Sequence, residues 1–301
     1  MSVQSPTPTD QDLLICTACG TEFDQPADQP LSNCVICDDP RQFVPPQGQT
    51  WTSRSQMSGK YTNKWQPIDD NPNLWSIWTE PKFGIGQRAI LLKTPAGNVL
   101  WDCIAYLDTA TVDFVKSHGG LKAIVISHPH YYTTHLSWAF AFGCPVYVAA
   151  EDASWVQRED RWGLRKLLSQ QATEVVRGVT AVKTGGHFPG SLVLHWDSRL
   201  FIADTLVTVP SALYHKDRPK GTTSYAFMWS IPNMIPLPPG EMQKMWKAME
   251  PWEFGSTHGA FVGMEVRDSD GGGKVKERVR ESMRIQAGGE GWIESLGDGW
   301  P

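Results

Sequence analysis

The sequence predicts a mixed α/β domain with a small cysteine-rich module in front of it. Between residues 74 and 150, strand-like apolar runs alternate with segments of helical spacing, as in a sheet covered by helices. Further strand-like runs follow between residues 172 and 204, which implies a second sheet. The chain has 301 residues, of which 41% are hydrophobic, so it can bury a large core beside an attached module.

Two Cys-x-x-Cys pairs define the N-terminal module. Cys16 and Cys19 form the first pair, Cys34 and Cys37 form the second, and fourteen residues separate them. That gap is one residue short of the usual zinc-ribbon range, yet the pattern still indicates a tetrahedral structural zinc site. A disulfide pair would need an oxidising compartment, and a redox dithiol normally occurs once, at a helix start. We therefore predict a zinc-ribbon head over residues 13–50, preceded by a disordered tail at 1–12.

Charge and hydropathy exclude several classes of partner. The net charge is −5 at pH 7, and six acidic residues face one arginine between residues 11 and 50. Such a surface would repel phosphates, so we expect no nucleic-acid partner. No stretch approaches the roughly 20 apolar residues needed to span a bilayer, and the polar N-terminus lacks the pattern of a secretory signal. We therefore predict a cytoplasmic protein without a membrane partner, and the sequence does not indicate its oligomeric state.

The first part of the main chain reads as a linker followed by alternating strands and helices. Residues 51–73 are rich in Pro, Gln, Ser and Asn with scattered aromatic side chains, which predicts an extended linker. Strands are expected at 74–80, 88–94, 98–103, 123–126 and 145–150, and helices at 109–118 and 136–142. The run at 123–126 is continuous and β-branched, so this strand should be buried on both faces.

The second part of the chain is dominated by strands. Residues 151–170 predict polar helical or loop material. Strands are expected at 172–176, 179–184, 191–196, 200–204 and 222–230, then a helix at 241–250 and a strand that ends at His258. The main domain is thereby predicted to span 74–265, and residues 266–301 to hold a charged helix and a glycine-rich tail.

The strand at 123–126 leads directly to two histidines separated by one residue. Pro129 prevents the strand from continuing, so His128 and His130 lie in a sharp turn where their imidazoles can converge on one metal such as zinc. The stretch LKAIVISHPHYYTTH resembles the metal-binding loop of the metallo-β-lactamase superfamily, whose motif is His-x-His-x-Asp-His at the end of a strand. Tyr132 and Thr133 occupy the last two motif positions here.

Later stretches extend the resemblance in the family's order. GGHFPGS, LFIADTL and STHG place His187, Asp204 and His258 at the third histidine, the bridging aspartate and the final histidine, and Asp102 matches the first acidic position. The match covers about residues 74–260 and implies a four-layer αββα sandwich. More narrowly, HPHYY with GGHFPG resembles a subgroup that carries a small cysteine-rich head.

The resemblance implies one catalytic zinc beside the structural zinc of the head. His128, His130 and His187 would hold it, with Asp204 as a fourth ligand and Asp102 in a supporting position. The second site of the family would keep only Asp204 and His258. A lone histidine in such a loop is more often a hydrogen-bonded structural residue, and it is the order and spacing that favour metal. His135 should be structural, with replacement of a lost ligand as the alternative.

These residues predict a hydrolase for a small carbonyl substrate. Zinc lowers the pKa of a bound water, so metal-bound hydroxide can attack a cyclic amide, carbamate or ester of the lactam or lactone type. Asp204 would orient it, and Tyr131 or Tyr132 would assist the oxyanion or leaving group unless both rings only pack beside the loop. The fourteen tryptophans suit either a large core or an apolar pocket. A thioesterase or glyoxalase-like hydrolase, and a metal- or ligand-binding member without turnover, remain the alternatives.

Overall fold

Two β-sheets lie face to face in the computed structural model, which describes residues 12–69, 71–213, 221–267, 274–289 and 291. The predicted tail falls almost wholly outside these residues, as does most of the glycine-rich segment after residue 289. None of the helices within the described ranges is long and apolar enough to cross a membrane.

A three-stranded antiparallel sheet forms the cysteine-rich head. Its strands are β1 (Leu13–Cys16), β2 (Glu22–Pro26) and β3 (Trp51–Thr52), in the order β2-β1-β3. The four cysteines pack with Phe23 and Ile36 into a small buried cluster, and Trp51 meets the Phe23 ring edge-on at 5.3 Å. Such a small apolar cluster cannot stabilise a module alone, which is typical of metal-dependent heads.

Residues 51–73, predicted to be a linker, are largely regular structure. They contain β3, a one-turn helix α1 (Arg54–Met57), strand β4 (Thr62–Ile68) and the start of β5 (Asn71–Glu80). Asn63 on β4 donates to Tyr106 O at 2.8 Å, and Trp65 stacks on Phe114 at 4.5 Å. Because β4 is an edge strand, Pro67 is tolerated within it.

The first sheet has seven strands, in the order β10-β9-β8-β7-β6-β5-β4. Its remaining strands are β6 (Ala89–Leu92), β7 (Val99–Trp101), β8 (Ala123–Val125), β9 (Val146–Ala149) and β10 (Arg165–Leu168). The four from β7 to β10 run parallel, and β10 falls where polar helical or loop material was predicted. Helices α2 (Thr109–Ser117) and α3 (His135–Phe142) accompany this sheet, and Gly143 ends α3 in the left-handed conformation.

The second sheet has six strands and two small ladders beside it. It begins with β11 (Ala172–Val176), β12 (Val179–Lys183), β13 (Leu192–Trp196) and β14 (Arg199–Phe201). The small ladders pair β15 (Val207–Thr208) with β16 (Tyr225–Ala226), and β17 (Met228–Ser230) with β18 (Ile235–Pro236). The sheet ends with β19 (Ser256–His258) and β20 (Glu265–Arg267), in the order β11-β12-β13-β14-β19-β20. Helices α4 (Pro239–Met249) and α5 (Lys274–Gly289) cover its outer face.

Alternating side chains on β13 show how the layers pack. Leu192 and Leu194 belong to the apolar core shared with the first sheet, whereas Val193 belongs to the core formed with α4 and α5. The first sheet in turn packs against Phe114 of α2 and Trp138 of α3. The order is therefore helices, sheet, sheet, helices, and the four-layer αββα sandwich predicted above is confirmed.

Candidate metal centre and its pocket

The ligand loop follows β8 and is held by a carboxylate at the end of the neighbouring strand. Asp102 lies just after β7 with a φ of 59°, a backbone conformation that few non-glycine residues adopt. Its Oδ1 accepts a hydrogen bond from Ser127 N at 2.7 Å. Burial raises the pKa of Asp102 to about 7. The short 3₁₀ turn Pro129–Tyr131 then reverses the chain, which brings His128 and His130 to the same place.

Three histidines and one aspartate converge there, all buried. Asp204 Oδ2 lies 3.4 Å from His128 Nε2, 3.9 Å from His130 Nδ1 and 3.8 Å from His187 Nε2, and the last two nitrogens are 3.1 Å apart. Ligands about 2.0–2.2 Å from one zinc are separated by about 3.3–3.6 Å in a tetrahedron. The three histidines could therefore hold one divalent metal, with Asp204 Oδ2 close enough either to act as a fourth ligand or to accept a hydrogen bond from a water at that position.

The histidine rings are prepared for a ligand. Ser127 Oγ lies 2.9 Å from His128 Nδ1, and Met228 O lies 3.2 Å from His187 Nδ1. These hydrogen bonds fix the orientation of both rings and leave their Nε2 atoms facing the other ligand residues. The buried Nε2 atom of His128 has no hydrogen-bond partner among the described residues, nor has Nε2 of His130, whose Nδ1 faces the other ligands. Burial lowers the pKa of His130 to about 4, and burial beside His128 and His130 lowers that of His187 well below its usual value. His130 and His187 are thus neutral near pH 7, the form that binds metals.

Asp204 presents one oxygen to the histidines and the other to a tyrosine. Tyr131 OH donates to Asp204 Oδ1 at 2.8 Å, which leaves Oδ2 facing the ligand nitrogens. Burial opposes ionisation of Asp204, but the close contact and charge of His128, followed by His130 and His187, hold its pKa well below the usual range. Burial, and then the Asp204 charge, raise the pKa of Tyr131 well above normal, so it stays a hydrogen-bond donor.

Tyr131 and Tyr132, predicted to assist the oxyanion or leaving group, both donate to groups of the protein itself. Tyr131 is fully buried and gives its only proton to Asp204. Tyr132 is also buried and donates to the backbone oxygen of Asp152 at 3.2 Å. Both hydroxyl protons are engaged within the protein, and these contacts match the alternative in which the two rings pack beside the ligand loop.

Two other histidines lie outside the convergent group. His258, at the end of β19, stacks on the Phe201 ring at 4.9 Å, and its Nδ1 is 4.0 Å from Glu265 Oε1. His135 Nδ1 is 2.8 Å from Tyr132 O, and its Nε2 is 3.0 Å from Arg165 Nη2. The structure therefore brings neither ring to the other ligands, and His135 has the structural contacts that its helical position predicted.

The four head cysteines form a second convergent group. Cys16 and Cys37 Sγ are 3.6 Å apart, Cys19 and Cys34 Sγ are 3.7 Å apart, and none of the four is in a disulfide. A zinc with Zn–S distances of about 2.3 Å separates its thiolates by about 3.8 Å. Gln49 Nε2 also donates to Cys16 Sγ at 3.2 Å, as outer groups do around metal-bound thiolates. This donor set fits a structural zinc.

A mainly apolar cavity of about 240 Å³ opens beside Asp204. Its walls come from the head, through Gln42 and Phe43, and from the main domain, through Ile231 and Phe261 among others. The exposed Lys82 also lines it, and no tryptophan of the described chain does. Sequence reasoning missed all of these wall residues, because they come from separate loops that carry no shared motif.

Comparisons with solved structures identify the fold. FIM-1, a metallo-β-lactamase from Pseudomonas aeruginosa in its mono-zinc form, matches with a TM-score of 0.51 and 12% identity, over 75% of this chain and 96% of that chain. The chemotaxis sensor ODP, solved as a peroxy diiron species, matches with a TM-score of 0.51 and 14% identity, over 78% and 100%. The fold is therefore the metallo-β-lactamase fold.

A sequence relative defines the family more narrowly. The uncharacterized protein YmaE of Bacillus subtilis (strain 168) is 36% identical over 277 residues, which cover 91% of this chain and 93% of YmaE. The chain therefore belongs to the YmaE family of metallo-β-lactamase-fold proteins. No protein-family model matches it. Because FIM-1 and ODP share the fold under such different descriptions, function must be argued from the site.

Proposed function

We propose that the protein is a metal-dependent hydrolase that opens a small cyclic amide, carbamate or ester of the lactam or lactone type. The observation that carries this proposal is the convergence of His128, His130, His187 and Asp204 beside an apolar cavity. Asp204 is the residue of this group that lines the cavity, so a bound ring would approach the three histidines from the Asp204 side.

The three histidines, Asp204 and Tyr131 have separate roles in the proposed reaction. His128, His130 and His187 would hold the metal, which when bound would polarise a carbonyl and lower the pKa of a water so that it could attack near neutral pH. Asp204 Oδ2 accepts a hydrogen bond from the attacking water, and Tyr131 fixes the carboxylate in that orientation. The water oxygen bonds to the carbonyl carbon, the ring C–O or C–N bond breaks, and the proton passes to the leaving oxygen or nitrogen.

One catalytic metal is proposed rather than a pair. The oxygen of Asp204 that a second metal would need already accepts from Tyr131. Tyr132 and Thr133 replace two ligands, and His258 packs against Phe201 instead of joining the group. Zinc is proposed for this site and for the cysteine cluster, since both donor sets suit it. Four unbonded cysteines also support a reducing compartment such as the cytoplasm.

A substrate screen tests this proposal. Zinc-loaded protein should turn over lactams or lactones that bear an apolar group, since one lysine is the only cation among the residues that line the cavity. Turnover confined to acyl thioesters or glutathione thioesters would favour the thioesterase or glyoxalase-like alternative. Full metal loading without turnover of any of these compounds would favour a binding protein. The His187→Ala protein serves as the control for contaminating hydrolases.

A further inference from the structure

We propose that the cysteine head is a wall of the active site, and that Phe43 on it selects substrates whose ring carries an apolar substituent. This inference rests on the proposed function and names the substrate class more closely. The wall is the segment 38–43, which directly follows the last cysteine of the cluster.

The segment contacts the loop that supplies the third histidine. The Arg41 guanidinium lies 3.7 Å from the centre of the Phe188 ring, and its Nη1 donates to His187 O at 3.4 Å. Asp39 Oδ1 accepts from Arg41 Nε at 2.6 Å, which holds the guanidinium in place. A buried, paired arginine over an aromatic ring is a specific contact rather than a surface encounter. Arg41 therefore joins the segment to the loop that carries His187.

The segment is also tied to a second loop of the main domain. Asn233 Nδ2 donates to Pro40 O at 2.8 Å and to Gln42 O at 3.0 Å. These two bonds fix the backbone immediately before Phe43, which lines the cavity together with Ile231 and Phe261. The Phe43 side chain is nevertheless 51% exposed. A large ring left half exposed at a cavity is a surface on which an apolar ligand gains contact.

The position of the wall depends on the cysteine cluster. Cys37 itself lines the cavity, and the backbone nitrogens of Cys37 and Asp38 both donate to Cys34 O, at 3.0 and 2.9 Å. The turn that starts the segment is therefore part of the cysteine loop. Zinc binding to the four cysteines should therefore affect the preference for substituted substrates as well as the stability of the head.

The ligand class follows from the cavity. Its lining is mainly apolar, and Asp204 is part of that lining. We therefore expect the carbonyl group of a substrate to bind next to Asp204 and the rest of the molecule to contact apolar side chains. A neutral five-membered ring fills only part of about 240 Å³, which leaves room for a phenyl or branched alkyl group against Phe43. We therefore expect phenyl-substituted rings to be preferred over unsubstituted ones.

Paired probes test the inference on the zinc-loaded full chain. The substrates are γ-butyrolactone and γ-phenyl-γ-butyrolactone. The matched ligands that cannot be hydrolysed are cyclopentanone and 3-phenylcyclopentanone, whose binding is measured by isothermal titration calorimetry. Phe43→Ala is compared with Val35→Ala, which removes a 43% exposed apolar side chain of the same head outside the cavity lining.

The expected result is a selective loss. Phe43→Ala should lower the phenyl-to-unsubstituted ratio of kcat/KM about tenfold, through KM, and weaken 3-phenylcyclopentanone binding by a similar factor. Val35→Ala should leave both ratios unchanged. Equal losses with both probes, equal effects of both variants, or no binding of 3-phenylcyclopentanone would overturn the inference. Binding that depends on Phe43 without turnover of either lactone would reject lactone hydrolysis while supporting the role of Phe43 in the cavity wall.

Discussion

The two ligand groups are built in opposite ways. The cysteine group draws its four thiols from one short stretch, Cys16 to Cys37, and only Phe23 and Ile36 join them as buried members of its small apolar cluster. The histidine group draws its ligands from distant loops at the ends of buried strands, with Ser127 behind one ring and Tyr131 on the carboxylate. Metal should therefore be needed to fold the head, whereas the sandwich forms the histidine site in advance. The following experiments test this difference, from the largest expected effect to the smallest.

Replacing His187 with alanine should have the largest effect on rate and little effect on folding. The variant loses one ligand and should lower kcat/KM by at least about a thousandfold, because the metal-supplied nucleophile is lost. The melting temperature should change little if the sandwich holds the site, and elemental analysis should show one metal equivalent fewer. His195→Ala, on β13 and hydrogen-bonded to Glu253 O, is the control. A large drop in melting temperature for His187→Ala, without one for His195→Ala, would show that the sandwich also needs metal to fold, as the head is expected to.

Replacing Cys16 with serine should unfold the head and spare the histidine site. One metal equivalent should be released, and amide exchange over residues 13–50 should accelerate by about a hundredfold or more, since the buried apolar cluster of the head is small. Cys144→Ser, which alters a buried cysteine of the main domain, should retain both metals. A protected, metal-free head in the Cys16 variant would contradict the structural-zinc assignment.

Removing the Tyr131 hydroxyl tests why one metal is expected. Tyr131→Phe deletes a hydrogen bond to a charged group, worth about 1.5–3 kcal/mol, and frees the second oxygen of Asp204. We expect a rate loss of about tenfold to a hundredfold and weak binding of an additional metal at high zinc concentration. Anomalous scattering from crystals of both proteins would measure this. Two fully occupied metals in the unaltered histidine site would contradict the single-metal proposal.

Asp152 should give a smaller, pH-dependent effect on stability. Its Oδ2 is buried without a partner among the described residues, and burial raises its pKa to about 6 from 3.8. The folded protein therefore holds a proton that the unfolded chain releases, so this contribution is complete below about pH 4 and is lost as pH rises to about 6. Asp152→Asn should remove that decline and add about 1–3 kcal/mol of stability at pH 8.

Urea unfolding at pH 4, 6 and 8 measures the Asp152 effect. The exposed Asp113→Asn on α2 is the matched control, and its profile should follow that of the unaltered protein. A parallel shift of the Asp152→Asn curve at all three pH values would show that a protonated carboxyl is not involved.

Local signals explain what could be predicted from the sequence. The β-branched run before His128, the proline between the two histidines and the paired cysteines each act within a few residues, and each stands where it was expected. Strand β4 was missed because Pro67 suggested a linker, and only the chain fold shows that this strand lies at a sheet edge. Strand β10 was missed because its charged sequence carries no strand pattern outside its pairing with β9. Arg41 and Tyr131 acquire their roles only through partners 146 and 73 residues away.

The contacts of the segment 38–43 also set an order of events during synthesis. Asn233, which holds Pro40, follows it by 193 residues. At about 5–20 residues per second, a ribosome needs about 10–40 seconds to cover that distance. The segment 38–43 therefore gains this contact late in synthesis, well after Thr133 and Arg158, which contact Glu22 of the head, have been made.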